Sequence, residues 1–192
     1  MGRRLVVVES PAKAKTIGKY LGPGFTVKAT VGHIRDLPER ELGVDVAASF
    51  KPTFVTVKGK QKAITELKAA AKDADEVLIA TDPDREGEAI ASHVREQVRR
   101  INGNIKRVLF HEITRDAIRL AVEKPVEIDD RKVEAQLARR ILDRLVGFKV
   151  SPLLWKALKT GLSAAACFTR SGRSFASFHV CSWEADVITN NG

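Results

Sequence analysis

The apolar stretch Val77-Leu78-Ile79-Ala80 runs directly into Asp82-Pro83-Asp84-Arg85-Glu86-Gly87-Glu88, and from there into Ala89-Ile90-Ala91 with Val94 and Val98 at helical spacing. A short continuous apolar run reads as a buried strand, and the spacing that follows reads as an amphipathic helix. The acidic run therefore occupies a strand-to-helix junction. Such junctions are the units of α/β folds, and in an open parallel sheet the ligand crevice lies outside the carboxyl ends of the strands.

The rest of the first two thirds repeats this grammar. Arg4 to Val8 is a β-branched run; Ser10 can cap and Pro11 can start a helix that carries Ala12, Ala14, Ile17 and Leu21 and stops at Gly22-Pro23. Phe25, Val27, Ala29 and Val31 alternate with polar residues, which predicts a half-buried strand. A loop-rich stretch from Gly32 to about Pro52 precedes a further strand at Phe54-Val55-Thr56-Val57. A helix is expected over Gln61 to Lys72 with Ile64, Leu67 and Ala71 on one face. Strands over 76–81 and 106–110 enclose the helix at 87–100, and Thr114 can cap a helix carrying Ala117, Ile118, Ala121 and Val122. Alternation of this kind, with continuous apolar strands, predicts a mostly parallel α/β sheet with helices on both faces. Glu9 and Asp82 each follow a strand, so both are expected at the same carboxyl edge.

From about Ile128 the pattern is helix only. Asp129 or Asp130 can cap a long helix with Val133, Leu137, Ile141 and Leu145 on one stripe and Arg139, Arg140, Arg144 and Lys149 on other faces. Ser151-Pro152 restarts a helix through Leu153, Leu154, Trp155 and Leu158.

Asp82, Asp84 and Glu86 alternate along the run and deliver several carboxylate oxygens to a small volume. Mg²⁺ is held in this way in phosphate chemistry, by a few carboxylates, retained waters and substrate phosphate. A plainer role is open to the same residues, since one acid at a helix N-terminus caps the helix and complements its dipole. Net charge is +9 and the pI near 9.8, which points to a polyanionic partner without separating DNA from RNA or anionic lipid. No apolar run approaches the about 20 residues of a membrane span, and the Leu5–Val8 run is too short for a signal peptide; the expectation is a cytoplasmic protein. Cys167, Cys181 and His179 match no zinc spacing.

Three separated segments carry a resemblance: Val7-Val8-Glu9-Ser10-Pro11-Ala12-Lys13-Ala14, Val31-Gly32-His33-Ile34-Arg35-Asp36-Leu37-Pro38 and Val150-Ser151-Pro152-Leu153-Leu154-Trp155. With the acidic run, which resembles the Toprim signature of topoisomerases, primases and some nucleases, they resemble bacterial type IA DNA topoisomerases over roughly residues 3 to 164. That resemblance implies a Toprim-type, Rossmann-like sheet followed by an incomplete helical segment. It implies relaxation of negatively supercoiled DNA, bound preferentially as single strand, by transient cleavage with Mg²⁺ and without ATP, in the bacterial nucleoid and away from the membrane.

By the same resemblance, Asp82, Asp84 and Glu86 are the metal carboxylates. Glu9 is the acid–base group beside the scissile phosphate, and Lys13 contacts a phosphate near the first helix's N-terminus. Arg139, Arg140, Asp143 and Arg144 form the single-strand-binding face. His33 either approaches DNA or stabilises its loop; Arg85 pairs either with the acids or with phosphate. Glu112, in a segment that also resembles the family, either serves the site or caps the next helix.

The expected division is 1–127, a Toprim domain; 128–164, the start of a helical domain; and 165–192, a tail. Leu162-Ser163-Ala164 runs into Ala165-Ala166-Cys167-Phe168, where the family continues into a Gly-Arg-Val-Gln-type segment. The tail holds both cysteines and three of the eight phenylalanines but no lysine, and it is expected to be poorly packed or replaced. The family's nucleophile is a tyrosine in a later domain. The only tyrosine here, Tyr20, lies in an unrelated Gly-Lys-Tyr-Leu-Gly context, so no nucleophile is assigned in these residues.

Overall fold

A computed structural model of the chain describes residues 2–157, 162–163 and 181–182. Two compact units are formed: residues 1–38 with 53–137, and residues 39–52 with 138–192. The division falls inside the long helix, and the segment 39–52 goes with the second unit.

The first unit is built on a four-stranded, all-parallel sheet. Its strands are β1 (Arg4–Val8), β2 (Phe25–Ala29), β7 (Glu76–Ile79) and β8 (Ile105–Arg107), in the order β2-β1-β7-β8. The helices are α1 (Pro11–Leu21), α2 (Gln61–Lys72), α3 (Arg85–Val98) and α4 (Arg115–Glu123). Because strand side chains alternate faces, Leu5, Val7, Val77 and Ile79 point one way. They pack with Ile64, Leu67 and Ala71 of α2 and Ile90, Ala91, Val94 and Val98 of α3. Val6, Val8, Leu78 and Ala80 point the other way, onto Ile17 of α1 and Ile118 and Val122 of α4. The sheet is thus covered on both faces, as its continuous apolar strands require.

Local signals explain most boundaries. Ser10 caps α1 by accepting from the Lys13 N–H, Pro11 supplies the preset φ, and Gly22 ends the helix at a φ of 76°. Thr114 accepts from the Ala117 N–H at the start of α4. The strands are shorter than their apolar runs: β8 pairs only over 105–107, although Val108 and Phe110 remain buried. The 54–57 run contributes only β6 (Val55–Thr56), antiparallel to β3 (Arg35–Asp36).

In the second unit, β4 (Val44–Asp45) pairs antiparallel with β5 (Lys51–Pro52). The helix α5 (Asp130–Lys149) begins in the first unit and ends in the second, and α6 (Ser151–Ala157) follows it. Asp129 caps α5 by accepting from the N–H groups of Arg131 and Lys132. No residue of α5 is fully buried, so its Val133-Leu137-Ile141-Leu145 stripe is only partly covered among the described residues. Two short antiparallel strands, β9 (Leu162–Ser163) and β10 (Cys181–Ser182), are also described. The expectation for the remainder of the 165–192 tail lies outside the described residues. No helix among the described residues is long and apolar enough to cross a membrane.

Candidate active site

In the sheet order β2-β1-β7-β8, the chain leaves β1 to one side through α1 and later returns on β1's other side as β7. The switch point therefore lies between β1 and β7, where open α/β sheets form their ligand crevice. Glu9 follows β1 and Asp82 follows β7, so both acids stand at this crevice.

They are joined there. The Asp82 N–H donates to Glu9 Oε1 at 2.5 Å, and the Lys13 ammonium spans the two carboxylates, 2.5 Å from Asp82 Oδ1 and 3.5 Å from Glu9 Oε2. Lys13 reaches them because it lies four residues after Glu9, one turn into α1. Burial lowers the Lys13 pKa, but the hydrogen bond to Asp82 and the charges of Glu9 and Asp82 outweigh it, and the net shift is upward.

The remaining acids of the run have separate partners. Asp84 is the N-cap of α3, its Oδ1 accepting from the Gly87 N–H at 2.7 Å. Glu86 accepts from His33 Nε2 at 3.0 Å, which brings the loop at 32–34 to the first turn of α3. Arg85 is exposed, and its side chain has neither a hydrogen bond nor an ion pair among the described residues. Glu112 accepts from the Thr114 hydroxyl, and Thr114 itself caps α4. No group of three or more His, Cys, Asp or Glu side chains among the described residues stands ready-made for a metal ion.

Gly87 is required by close approach. A Cβ at this position would collide with the Asp82 backbone, so the α3 N-terminus sits directly on the Asp82 peptide. The Thr81 hydroxyl donates to the Gly87 carbonyl at 2.7 Å and ties the same turn from the other side.

Beneath the turn lies a buried ion pair that the sequence pattern did not single out. Arg107, at the end of β8, is fully buried and lies 3.2 Å from Glu88 on α3, which is also buried. Its guanidinium donates to the carbonyls of Ile79 (3.1 Å), Thr81 (2.8 Å) and Asp82 (2.7 Å). Glu88 also accepts from the Asp129 N–H, which links the turn to the start of α5. Burial lowers the Arg107 pKa and Glu88 opposes the shift; an arginine stays charged regardless. The available signal was Glu88 directly before the apolar Ala89-Ile90-Ala91 and Arg107 directly before Val108-Leu109-Phe110, since charges drawn into apolar surroundings require partners.

His93 is a second residue without a sequence signal strong enough to mark it. It lies seven residues after Glu86 on the same face of α3, edge-to-face with Phe54 at 4.8 Å and with His33 at 6.3 Å between ring centres. Its Nδ1 is buried without a hydrogen-bond partner among the described residues. Burial, with help from the neighbouring His33 ring and the Arg35 guanidinium, lowers its pKa to about 4.

Arg139, Arg140 and Arg144 of α5 belong to the second unit. Arg139 Nε lies 4.0 Å from Asp143 Oδ2, and Arg144 donates to the Glu41 carbonyl and stacks over Phe148. Arg140 is exposed. Burial raises the Asp143 pKa against the pull of Arg139 and Arg140, and its Oδ1 is buried without a hydrogen-bond partner among the described residues.

Known proteins share this arrangement of sequence and fold. DNA topoisomerase 1 of Streptomyces coelicolor is 53% identical over 176 residues, an alignment that covers 85% of this chain and 18% of that protein. The structure of full-length topoisomerase I from Thermotoga maritima matches with a TM-score of 0.76 and 52% identity, over 83% of this chain and 27% of that one. The chain thus spans well under a third of either relative. Residues 4–113 match the Toprim domain model, and with more than half of its length in that match the chain belongs to the Toprim domain family.

Proposed function

We propose that these residues form the Toprim part of a type IA DNA topoisomerase, an isomerase that relaxes negatively supercoiled DNA by transient single-strand cleavage and rejoining, without ATP. The observation that carries the reading is the joining of Glu9, Lys13 and Asp82 at the β1/β7 switch point. It puts a carboxyl group, an ammonium group and a helix N-terminus at one place, which suits a phosphodiester.

In this reading Lys13 neutralises the scissile phosphate, and Glu9 exchanges a proton with the 3′ oxygen that leaves on cleavage and attacks on rejoining. Arg107, Glu88 and Gly87 fix the Asp82 peptide, and His33 holds Glu86 toward the same edge. The donor chemistry suits Mg²⁺: Asp82 and Glu86 offer hard carboxylate oxygens, each now engaged by one displaceable cationic or hydrogen-bonding partner. Asp84 has one oxygen committed to its cap. With so few protein ligands, substrate phosphate and water complete the shell. A bound Mg²⁺ would supply neutralisation of phosphate charge and hold the cleaved ends in place. Arg139, Arg140, Asp143 and Arg144 take the single strand, with arginines on phosphates and Asp143 toward a base edge. Arg85, exposed beside the acids, is assigned to phosphate.

The covalent partner is assigned to residues outside this sequence. Tyr20 packs against the apolar face formed by β1, α1 and α4, and its carbonyl accepts from Arg119. Positioning groups and electrostatic stabilisers cannot replace a nucleophile. The test is incubation of the chain with Mg²⁺ and negatively supercoiled plasmid, followed by denaturing analysis for protein–DNA adducts. Binding of single-stranded DNA without relaxation or adduct is expected. Relaxation with an adduct at Tyr20 overturns the assignment, and Mg²⁺-dependent nicking without an adduct makes the chain a Toprim nuclease instead.

A further inference from the structure

Two breaches of local backbone rules meet in a single contact beside the acid edge. Val31, expected as the last residue of an alternating strand, has a φ of 58°. That is the left-handed region, which β-branched residues avoid because the Cβ crowds the backbone. The side chain is half exposed, so core packing does not hold it there. Lys60 occupies the N-cap position of α2, where Ser, Thr, Asp or Asn is favoured, and makes no capping bond to its own helix. Its ammonium instead donates to the Val31 carbonyl.

The bonds on either side of Val31 show what the kink achieves. The Thr30 N–H donates to the Val8 carbonyl and the Gly32 N–H to the Glu9 carbonyl, both at 2.9 Å. The chain is therefore pinned to the end of β1 before and after Val31 and turned across the carboxyl edge between the two pins. Gly32 continues the turn at a φ of 81°, and the next residue, His33, reaches Glu86. If Val31 relaxed to the extended region, the peptide carrying His33 would swing away from this path. Departures from local propensity that persist in a fold mark sites where the surroundings over-determine the conformation.

We propose that Val31 and Lys60 form a strained clasp, in which the lysine holds the valine in its left-handed conformation so that His33 is delivered to the acid edge at Glu86. Both are positioning residues that act through His33; the clasp rests on the assignment of that edge as the DNA site. Lys60 is needed because Val31 is strained. Glycine enters the left-handed region freely, so a glycine at position 31 removes the need for the clamp.

The test is a cycle of four whole chains: the parent, Val31→Gly, Lys60→Met and the double variant. Binding of fluorescein-labelled oligothymidine is measured by anisotropy, and the His33 ring signals are followed by NMR. Lys60→Met is expected to weaken binding about tenfold or more when Val31 is present, within the range set by releasing such strain, and by clearly less in the Val31→Gly background. The loss common to both backgrounds is the removed charge. Equal losses in the two backgrounds mean that Lys60 acts through charge alone and overturn the clasp. His33→Ala separates the two layers of the argument. Should His33→Ala bind like the parent, the assignment of His33 to the DNA site fails, and the ring signals decide the clasp: His33 signals that move in Lys60→Met and return in the double variant sustain it, and signals that stay fixed overturn it.

Discussion

His93 should make the first unit sensitive to mild acid, and the size of the effect follows from its surroundings. Burial is the main cause of its low pKa of about 4, and the nearby His33 ring and Arg35 guanidinium add to it while Asp36 opposes. An unfolded histidine titrates near 6.5, well above the folded value. Well above pH 6.5 the ring is neutral in both states and the contribution is constant. As pH falls from about 6.5 toward about 4 the unfolded chain takes up a proton that the folded chain refuses, and stability falls by up to about 1.4 kcal/mol per pH unit. The total at about pH 4 is roughly 3 kcal/mol, a large part of a typical domain's stability. Other groups titrate in the same range, so the parent must be compared with His93→Leu, which keeps the contact with Phe54 and removes the titrating ring. Urea unfolding at about pH 7, 6, 5 and 4 should show the difference between the two chains shifting by roughly 3 kcal/mol in favour of the leucine variant. Parallel stability curves over that range would refute the reasoning.

Gly87→Ala should lower stability by about 1–3 kcal/mol or more in urea unfolding, because the atoms met by the new methyl belong to the Asp82 backbone and cannot rotate away. Arg107→Met should cost roughly 3–5 kcal/mol by leaving Glu88 buried and unpaired, and adding Glu88→Met should restore most of it; a double variant no better than the single would show that the carbonyl bonds, not the ion pair, set the cost. Lys13→Gln should act in opposite directions on two ligands: calorimetry should show tighter Mg²⁺ binding without DNA, since Asp82 loses its competing ammonium, whereas binding of single-stranded DNA weakens. Replacing Arg139, Arg140 and Arg144 with Gln should reduce the salt dependence of single-strand binding, with the slope of log K against log salt falling by about 0.7 for each phosphate that the helix no longer neutralises; an unchanged slope removes the helix from the DNA site.

The fold was legible because its signals are local and agree with one another. The β1 strand, the cap and stop of α1, and α2 with its buried Ile64, Leu67 and Ala71 stand where the apolar spacing and cap residues put them. Ends of strands were less legible, because an apolar residue is buried equally well inside a ladder or just beyond it. Val108 and Phe110 are buried without extending β8. Val31 illustrates the strongest divergence. Its place in an alternating pattern predicts an extended backbone, and the conformation it adopts depends on Lys60, which is remote in sequence.

The chemistry at the switch point divides along the same line. Residue types and the carboxyl-edge rule place Glu9 and Asp82 together, because strand direction alone settles which end of the sheet they occupy. Which charge answers which is a different kind of information. Asp82 is met by Lys13 from α1, Glu86 by His33 from a loop, and the Asp82 carbonyl by Arg107 from β8, while Asp84 turns inward to cap its own helix. The acidic and carbonyl groups of one short run thus draw their partners from separate parts of the chain. Like charges drawn close together repel, and each acid of the run instead turns to its own cation or hydrogen-bond donor. Burial decides which of these contacts can yield. Arg107 and Glu88 are sealed from water and hold the backbone in place, whereas Lys13, Asp82, His33 and Glu86 keep solvent contact. A phosphate or a cation arriving at the edge can therefore exchange with the exposed pairs while the turn that carries Asp82 stays fixed, and this combination of a rigid backbone with replaceable side-chain partners is what the proposed phosphodiester site requires.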